Sequence, residues 1–278
     1  MTILIFTVLL LAGAFIAGLL GSLTGLGGGF VIIPLLTIVF KVDIHYAIGT
    51  SLISVIATSS GAAAAYVKEG ITNMRMGMFL ELATTIGAIT GAFLSTYVSP
   101  SFIAIIFGSV LIFSAITSLI KKDDPIETNH KSALAKKLRL NSSFPTKTGG
   151  QFYTVTNVGG GFFVMNIAGI LSGLLGIGSG ALKVIAMDNI MRIPFKVSTT
   201  TSNFMIGVTA AASAGIYLKR GYIDPGLSMP VVLGVLLGAF FGSKILVAVK
   251  SSVLRIVFAL VIFLLAIEMI YNGLTHQI

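Results

Sequence analysis

The chain has 278 residues, of which 55% are hydrophobic and only 10% charged, with a net charge of +9 and no cysteine. A soluble domain normally carries about 25% charged residues, so a soluble globular protein is excluded, and the missing cysteines exclude disulfides and thiolate metal sites. The basic residues lie in the loops between apolar runs, where they set orientation in a membrane rather than attract nucleic acid.

Uncharged windows at 3–40, 82–120 and 198–218 are long enough to span a hydrocarbon core of about 30 Å. In chain order the apolar segments fall at 3–20, 30–40, 46–67, 76–98 and 101–120, then at 154–172, 181–191, 197–218, 227–249 and 252–271. The first lacks a basic leader region and runs into the pattern described next, so it is expected to be a span rather than a signal peptide. The three histidines, His45, His130 and His276, form no metal-ligand spacing.

Shifted by 151 residues, the chain matches itself without a gap from about residue 16 to 118. Gly25, Gly27 and Gly29 fall on Gly176, Gly178 and Gly180; Thr50-Ser51 falls on Thr201-Ser202; Gly87 and Gly91 fall on Gly238 and Gly242. The pattern predicts an all-α polytopic membrane protein made of two repeats, 1–120 and 151–278, joined by a basic linker, 121–150. Duplicated halves of this kind are a habit of transporters.

The linker holds seven of the eighteen basic residues and is expected in the cytoplasm. Stretches 1–20 and 256–278 contain no Lys or Arg, which places both termini outside. An odd number of crossings per half then follows. Five fits, and it inserts the two repeats with inverted topology. Lys219 and Arg220 fall outside in this scheme and count against it. Four plus four spans with re-entrant hairpins is the alternative.

The second segment of each half is too short to cross, and each follows a glycine-rich break, TGLGGG or LGIGSG. Such half-helices present unpaired N–H groups and a positive dipole end. Two of them converging near the midplane would hold an anion on backbone groups, with glycine leaving the amides accessible. The bland alternative, close helix packing, fits Gly87, Gly91, Gly238 and Gly242 better. GIGSGA also matches a dinucleotide fingerprint, but no βαβ pattern surrounds it.

The candidate substrate-binding residues are therefore Gly25, Gly27, Gly28 and Gly29 with Thr50 and Ser51, and Gly176, Gly178, Ser179 and Gly180 with Lys183, Thr201, Ser202 and Asn203. Lys183 stands where the first repeat has Ile32. A lysine inside an apolar segment is costly and is a functional candidate, with an anion or Asp188 as its expected counter-charge; a structural pair or snorkelling is the alternative. Glu81 and Asp188 are the candidates for coupling, since a buried carboxyl can carry a proton. Glu268 reads as interfacial.

GLGGGFVIIP in one half, and GLLGIGSGALKV followed by KVSTTTSNFMIGVTAAASAG in the other, resemble the sulfite exporter TauE/SafE family. The resemblance implies a cytoplasmic-membrane permease that exports sulfur-containing anions such as sulfite or organosulfonates, and it implies no cofactor. Its signature positions map onto the glycines of both breaks, Pro34, Lys183, Thr201, Ser202 and Asn203. The second copy departs from the pattern at Ser179 and at Ile185, which stands opposite Pro34. An enzyme is not expected, because no zinc or nucleophile spacing occurs in the spans. The expected partners are a small anion and the bilayer, with room for a homodimer and none for nucleic acid. An anion channel and a membrane accessory protein are the alternatives to a transporter.

Overall fold

The computed structural model describes residues 3–24, 28–68, 70–119, 132–146, 149–248 and 251–275. The first half forms α1 (Ile3–Thr24), a short α2 (Gly29–Pro34) that runs into a π-helical turn Leu35–Val39, α3 (Ile44–Lys68), α4 (Met74–Leu94) and α5 (Pro100–Leu119). The second half repeats the order with α7 (Val158–Leu175), α8 (Gly180–Ile185) with its π turn Ala186–Ile190, α9 (Phe195–Lys219), α10 (Pro225–Ala248) and α11 (Ser251–Leu274). All ten expected segments are therefore helical, with ends that move by a few residues. Each half-helix, π turn included, is about 16 Å long at about 1.5 Å per residue.

The polar and apolar faces are arranged for lipid. Apolar side chains face outward at helical spacing, as with Leu82, Ile86 and Phe93 on α4 and Leu233, Leu237 and Phe240 on α10. Hydroxyls are gathered inside, including Thr50, Ser51, Ser54, Thr84, Thr201, Ser202, Thr209 and Ser213. Four of the described helices, within α1, α4, α5 and α7, are long and apolar enough to cross a membrane by length and composition. Helix α9 is long too, but its hydroxyls and Asn203 lower its hydropathy.

Helices pack by exchange between the halves. Helix α1 lies along α10 and α4 along α7, while α3 crosses α9 and α5 packs on α11. Under a shift of 151 residues the α1–α10 and α4–α7 pairs exchange, and the α3–α9 and α5–α11 pairs return to themselves. The contacts at single residues obey the same rule. Gly18 abuts the backbone of Val235, and Gly169 abuts that of Thr84; Gly87 abuts Asn166 and Ile170, and Gly238 abuts Phe15 and Leu19. The packing expected for Gly87, Gly91 and Gly238 is what these positions do, since each holds its helix against a neighbouring backbone. Gly242 carries no described side-chain environment.

Both half-helices end alike. Their π turns hand the chain to Lys41 and Arg192, which sit 151 apart with φ of 54° and 53°. Pro34 precedes only the first π turn, so proline is not its general cause. Cations at these carboxyl ends are favourably placed against the helix dipole.

Part of the linker folds. Helix α6 (Ala133–Lys137) leads into an antiparallel hairpin of β1 (Ser142–Thr146) and β2 (Gly149–Tyr153), with Ser142 opposite Tyr153. Residues 121–131 lie outside the described part. The hairpin crosses the expected boundary at 150/151, and Leu140, Phe144 and Tyr153 join a buried cluster with Met76, Leu80 and Met191. Asn73 locks this cluster to α4. Its Oδ1 accepts the Met76 N–H at 3.0 Å, and its Nδ2 donates to Leu140 O at 2.9 Å and to the Tyr153 hydroxyl at 2.8 Å. Burial pushes the Tyr153 phenol up, against hydrogen bonds from Asn73 and Ser142, so it stays protonated at neutral pH. Asn73→Ala removes a helix cap, for which about 0.5–2 kcal/mol is usual, and leaves the Leu140 carbonyl without its side-chain donor. A fall in thermal midpoint, with faster proteolysis between 132 and 153, is the expected result.

Arg220 has a local reason for its place. It donates to Ala92 O at 2.7 Å near the carboxyl end of α4 and lies 5.4 Å from the centre of the Phe93 ring. Helix capping and cation–π contact account for a cation there.

Candidate functional site

The second half-helix, α8, enters the bundle after a left-handed turn. Gly176, Gly178 and Ser179 have φ of 68°, 71° and 45°. One turn inside, Lys183 is fully buried. Its Nζ donates to Thr209 Oγ1 of α9 at 2.5 Å, and the Thr209 hydroxyl donates to Glu81 Oε1 of α4 at 2.6 Å. Thr85 Oγ1 donates to the same oxygen at 3.2 Å. The counter-charge of Lys183 is thus Glu81 from the other repeat, relayed by one hydroxyl, rather than Asp188 five residues along its own helix. Asp188 has partners of its own. Glu81 Oε2 is buried and has no hydrogen-bond partner.

The two breaks meet. A methyl placed on Gly29 would lie 2.6 Å from Ser51 Oγ, 3.0 Å from Val55 and 3.2 Å from the Gly176 carbonyl oxygen. Only glycine leaves room for that approach. One placed on Gly178 would lie 2.7 Å from Ile206 and 3.3 Å from Val55, so α3 packs against both breaks and α9 against the second. Gly25 and Gly27 lie outside the described residues; Gly28 is the residue before α2, and its carbonyl accepts the Val31 and Ile32 amides.

Hydroxyls from the central helices serve the breaks directly. Ser51 Oγ donates to Gly176 O at 2.8 Å, and its counterpart Ser202 donates to Gly180 O at 3.1 Å. The first satisfies a carbonyl that the end of α7 leaves open, and the second adds a bond to the first carbonyl of α8. Thr201 Oγ1 accepts the Asn73 N–H at 3.1 Å, and Thr50 accepts from Ser228 Oγ at 3.5 Å. Asn203 is buried on α9. By contrast, Ser172 at the end of α7 and Ser179 at the start of α8 carry buried hydroxyls with no partner. They bracket the second break.

Thr209, Thr84 and Thr85 were not among the candidates read from sequence. The signal existed. Ser202, Thr209 and Ser213 stand seven and eleven residues apart on α9, and Glu81, Thr84 and Thr85 stand at i, i+3 and i+4 on α4, so each set lines one helix face. Among the described residues no three His, Cys, Asp or Glu side chains come together as a metal site. An open cavity of about 560 Å³ lies elsewhere, at the far end of the α8 π turn, lined by Thr156, Asn157, Asn189, Ile190 and Arg192.

The broken, paired half-helices and the buried Lys183 match the pattern that the sequence motifs resemble, and the comparison with known families decides the matter. Residues 10–269 match the sequence model of the family described as Sulfite exporter TauE/SafE. The chain belongs to that family. Relatives of this TauE/SafE chain include the probable membrane transporter protein YunE of Bacillus subtilis, 28% identical over 277 residues that cover 97% of this chain and 98% of the relative. YdhB of the same organism, also named a probable membrane transporter protein, is 28% identical over 242 residues, 87% and 91% of the two chains. The similarly named MJ0441 of Methanocaldococcus jannaschii is 23% identical over 277 residues, 94% of each chain. No solved structure matches this TauE/SafE chain at a significant level.

Proposed function

We propose that this membrane transporter moves small sulfur-containing anions, such as sulfite or an organosulfonate, out across the cytoplasmic membrane by alternating access of two inverted repeats. The observation that carries the reading is the second break. Ser172 and Ser179 bury hydroxyl donors without acceptors there, and leaving such a group unpaired costs about 1–3 kcal/mol. An oxyanion supplies the missing acceptors. The contact between Gly29 and Gly176 brings the first break to the same place, and Lys183 adds the charge one turn further in. Ser51 already occupies the Gly176 carbonyl at the end of α7, while the unpartnered groups at this break, the Ser172 and Ser179 hydroxyls, can donate, which favours an anion over a cation.

Exchange packing of equivalent helices supports two rigid units related by a two-fold axis. With five helical segments per half and the basic linker in the cytoplasm, that axis lies in the membrane plane, and both termini lie outside. A structure of this kind changes access when one pair of units rocks against the other around the fixed site.

The test is counterflow of labelled sulfite in proteoliposomes of the purified full-length chain, with an alkanesulfonate, sulfate, acetate and rubidium as competitors. Saturable counterflow that the alkanesulfonate inhibits and rubidium leaves alone is expected. Flux that rises linearly with concentration identifies a channel instead, and absence of flux from folded protein favours the accessory-protein alternative.

A further inference from the structure

Glu81 is the feature that anion binding at the breaks leaves unused. Its residue is about nine-tenths buried, with one oxygen tied to Thr209 and Thr85 and the other, Oε2, without a partner. Helix α8 brings Lys183, which reaches Glu81 across Thr209. Helix α9 brings Thr209 itself, while its ionisable residues Lys196, Tyr217 and Lys219 stand eight or more residues away, about 12 Å or more along the helix. Helix α7 contains no ionisable residue. On α4 itself Thr84 and Thr85 line the same face, and Arg75 lies six residues earlier. The site therefore holds one carboxylate facing one ammonium.

The arrangement exists once. At the positions related by 151 residues stand Ile32 for Lys183, Val232 for Glu81, Val235 for Thr84 and Thr58 for Thr209. The backbone is duplicated, but the second copy of the charge pair is replaced by aliphatic side chains.

We propose that Glu81 carries the proton that couples transport, and that its protonation releases Lys183 to hold the anion. With Glu81 ionised, the Lys183 charge is matched through Thr209, and an arriving anion would add an unmatched charge in a site of low dielectric. A proton from water that bonds to Oε2 neutralises Glu81. Lys183 is then the unmatched charge, and a monoanion restores neutrality. Proton and anion favour each other's binding, and by linkage each raises the affinity for the other by the same factor. One charge pair per chain sets one proton per anion, moving in the same direction, so outward movement is driven by the anion's own gradient and the pH gradient sets how far it goes. The coupling rests on the transport reading above.

The test uses the full-length chain in liposomes with ethanesulfonate, which remains a monoanion throughout the range, and with sulfite. A gradient of one pH unit is expected to accumulate the anion about ten-fold in wild type, the limit for one coupled proton. Glu81→Gln is expected to support counterflow that no longer responds to the gradient, whereas Glu268→Gln, on the exposed face of α11, responds like wild type. Wild-type counterflow that ignores pH, or that follows a sodium gradient, overturns the coupling and leaves the transport reading intact. Gradient-driven accumulation in Glu81→Gln overturns it equally. No counterflow of either anion from folded wild type overturns the transport reading, and the coupling with it. A second measurement does not depend on the variant folding. Ethanesulfonate added to detergent-solubilised wild type in weak buffer, over a series of pH values, should draw in up to one proton per anion bound at the maximum, read with a pH dye, as one-site linkage allows; binding without proton uptake at any pH overturns the proposal.

Discussion

Lys183→Met is expected to lower the stability of the protein sharply, and Lys183→Met combined with Glu81→Gln to recover most of the loss without recovering transport. The physical basis is the relay from Lys183 Nζ through Thr209 Oγ1 to Glu81 Oε1, all of it buried. Removing one partner of a buried pair leaves the other charge without compensation and costs about 3–5 kcal/mol. Removing both charges together is often close to neutral, because neither is left stranded. Thermal unfolding in detergent at neutral pH separates the cases. A single variant as stable as wild type would mean that the pair carries no net charge interaction. Anion counterflow supplies the second readout. Hydrogen bonds to charged groups contribute about 1.5–3 kcal/mol, so loss of the ammonium should weaken anion binding about ten- to hundred-fold. That loss should persist in the stable double variant, which distinguishes a ligand contact from a purely structural pair.

The two halves of this prediction were not equally visible in the sequence. Lys183 declares itself, because a charge inside an apolar segment is costly and needs a partner, whether ligand or structural pair. Its partner does not, since Glu81 lies 102 residues away in the other repeat and the nearer Asp188 offers a simpler pairing on the same helix. Only the exchange of helices between halves brings α4 beside α8 and α9. The same reasoning separates the legible from the hidden across the fold. Apolar period and length located all ten helical segments, and the breaks announced the half-helices. The π turns at Leu35–Val39 and Ala186–Ile190 have no shared residue signal, for one follows a proline and the other an isoleucine. The hydroxyls are readable as polar but not as to purpose: Ser51 and Ser202 donate to the Gly176 and Gly180 carbonyls, while Ser172 and Ser179 remain unpaired. The linker looked like a basic tether because its charges dominate its composition. Yet a few apolar residues, Leu140, Phe144 and Tyr153, together with Asn73, are enough to fold its second part against α4.

Substituting leucine for Gly87 and for Gly238 is expected to destabilise the protein by similar amounts, because the two positions make the same contact in opposite halves. A side chain at Gly87 would run into the backbone of Asn166, with the Ile170 nitrogen 2.9 Å from its Cβ; at Gly238 it would meet Phe15, with the Leu19 nitrogen at 2.8 Å. A backbone cannot rotate away as a side chain can, so α4 must lift from α7, or α10 from α1. Overpacking costs about 1–3 kcal/mol even where neighbours can shift, and helices in lipid rely on close backbone approach for much of their association. Gly215→Ala is the contrasting case. Nothing lies within 4 Å of the position its Cβ would occupy, and alanine is about 1 kcal/mol better than glycine in a helix interior, so no loss is expected. Thermal midpoints of the three variants test the exchange of helices directly. Comparable losses at Gly87 and Gly238 follow if equivalent helices bear equivalent contacts. A large loss at one position alone would mean that the halves, though related in sequence, are not packed as partners about a common axis, and the rocking of two like units would lose its structural basis.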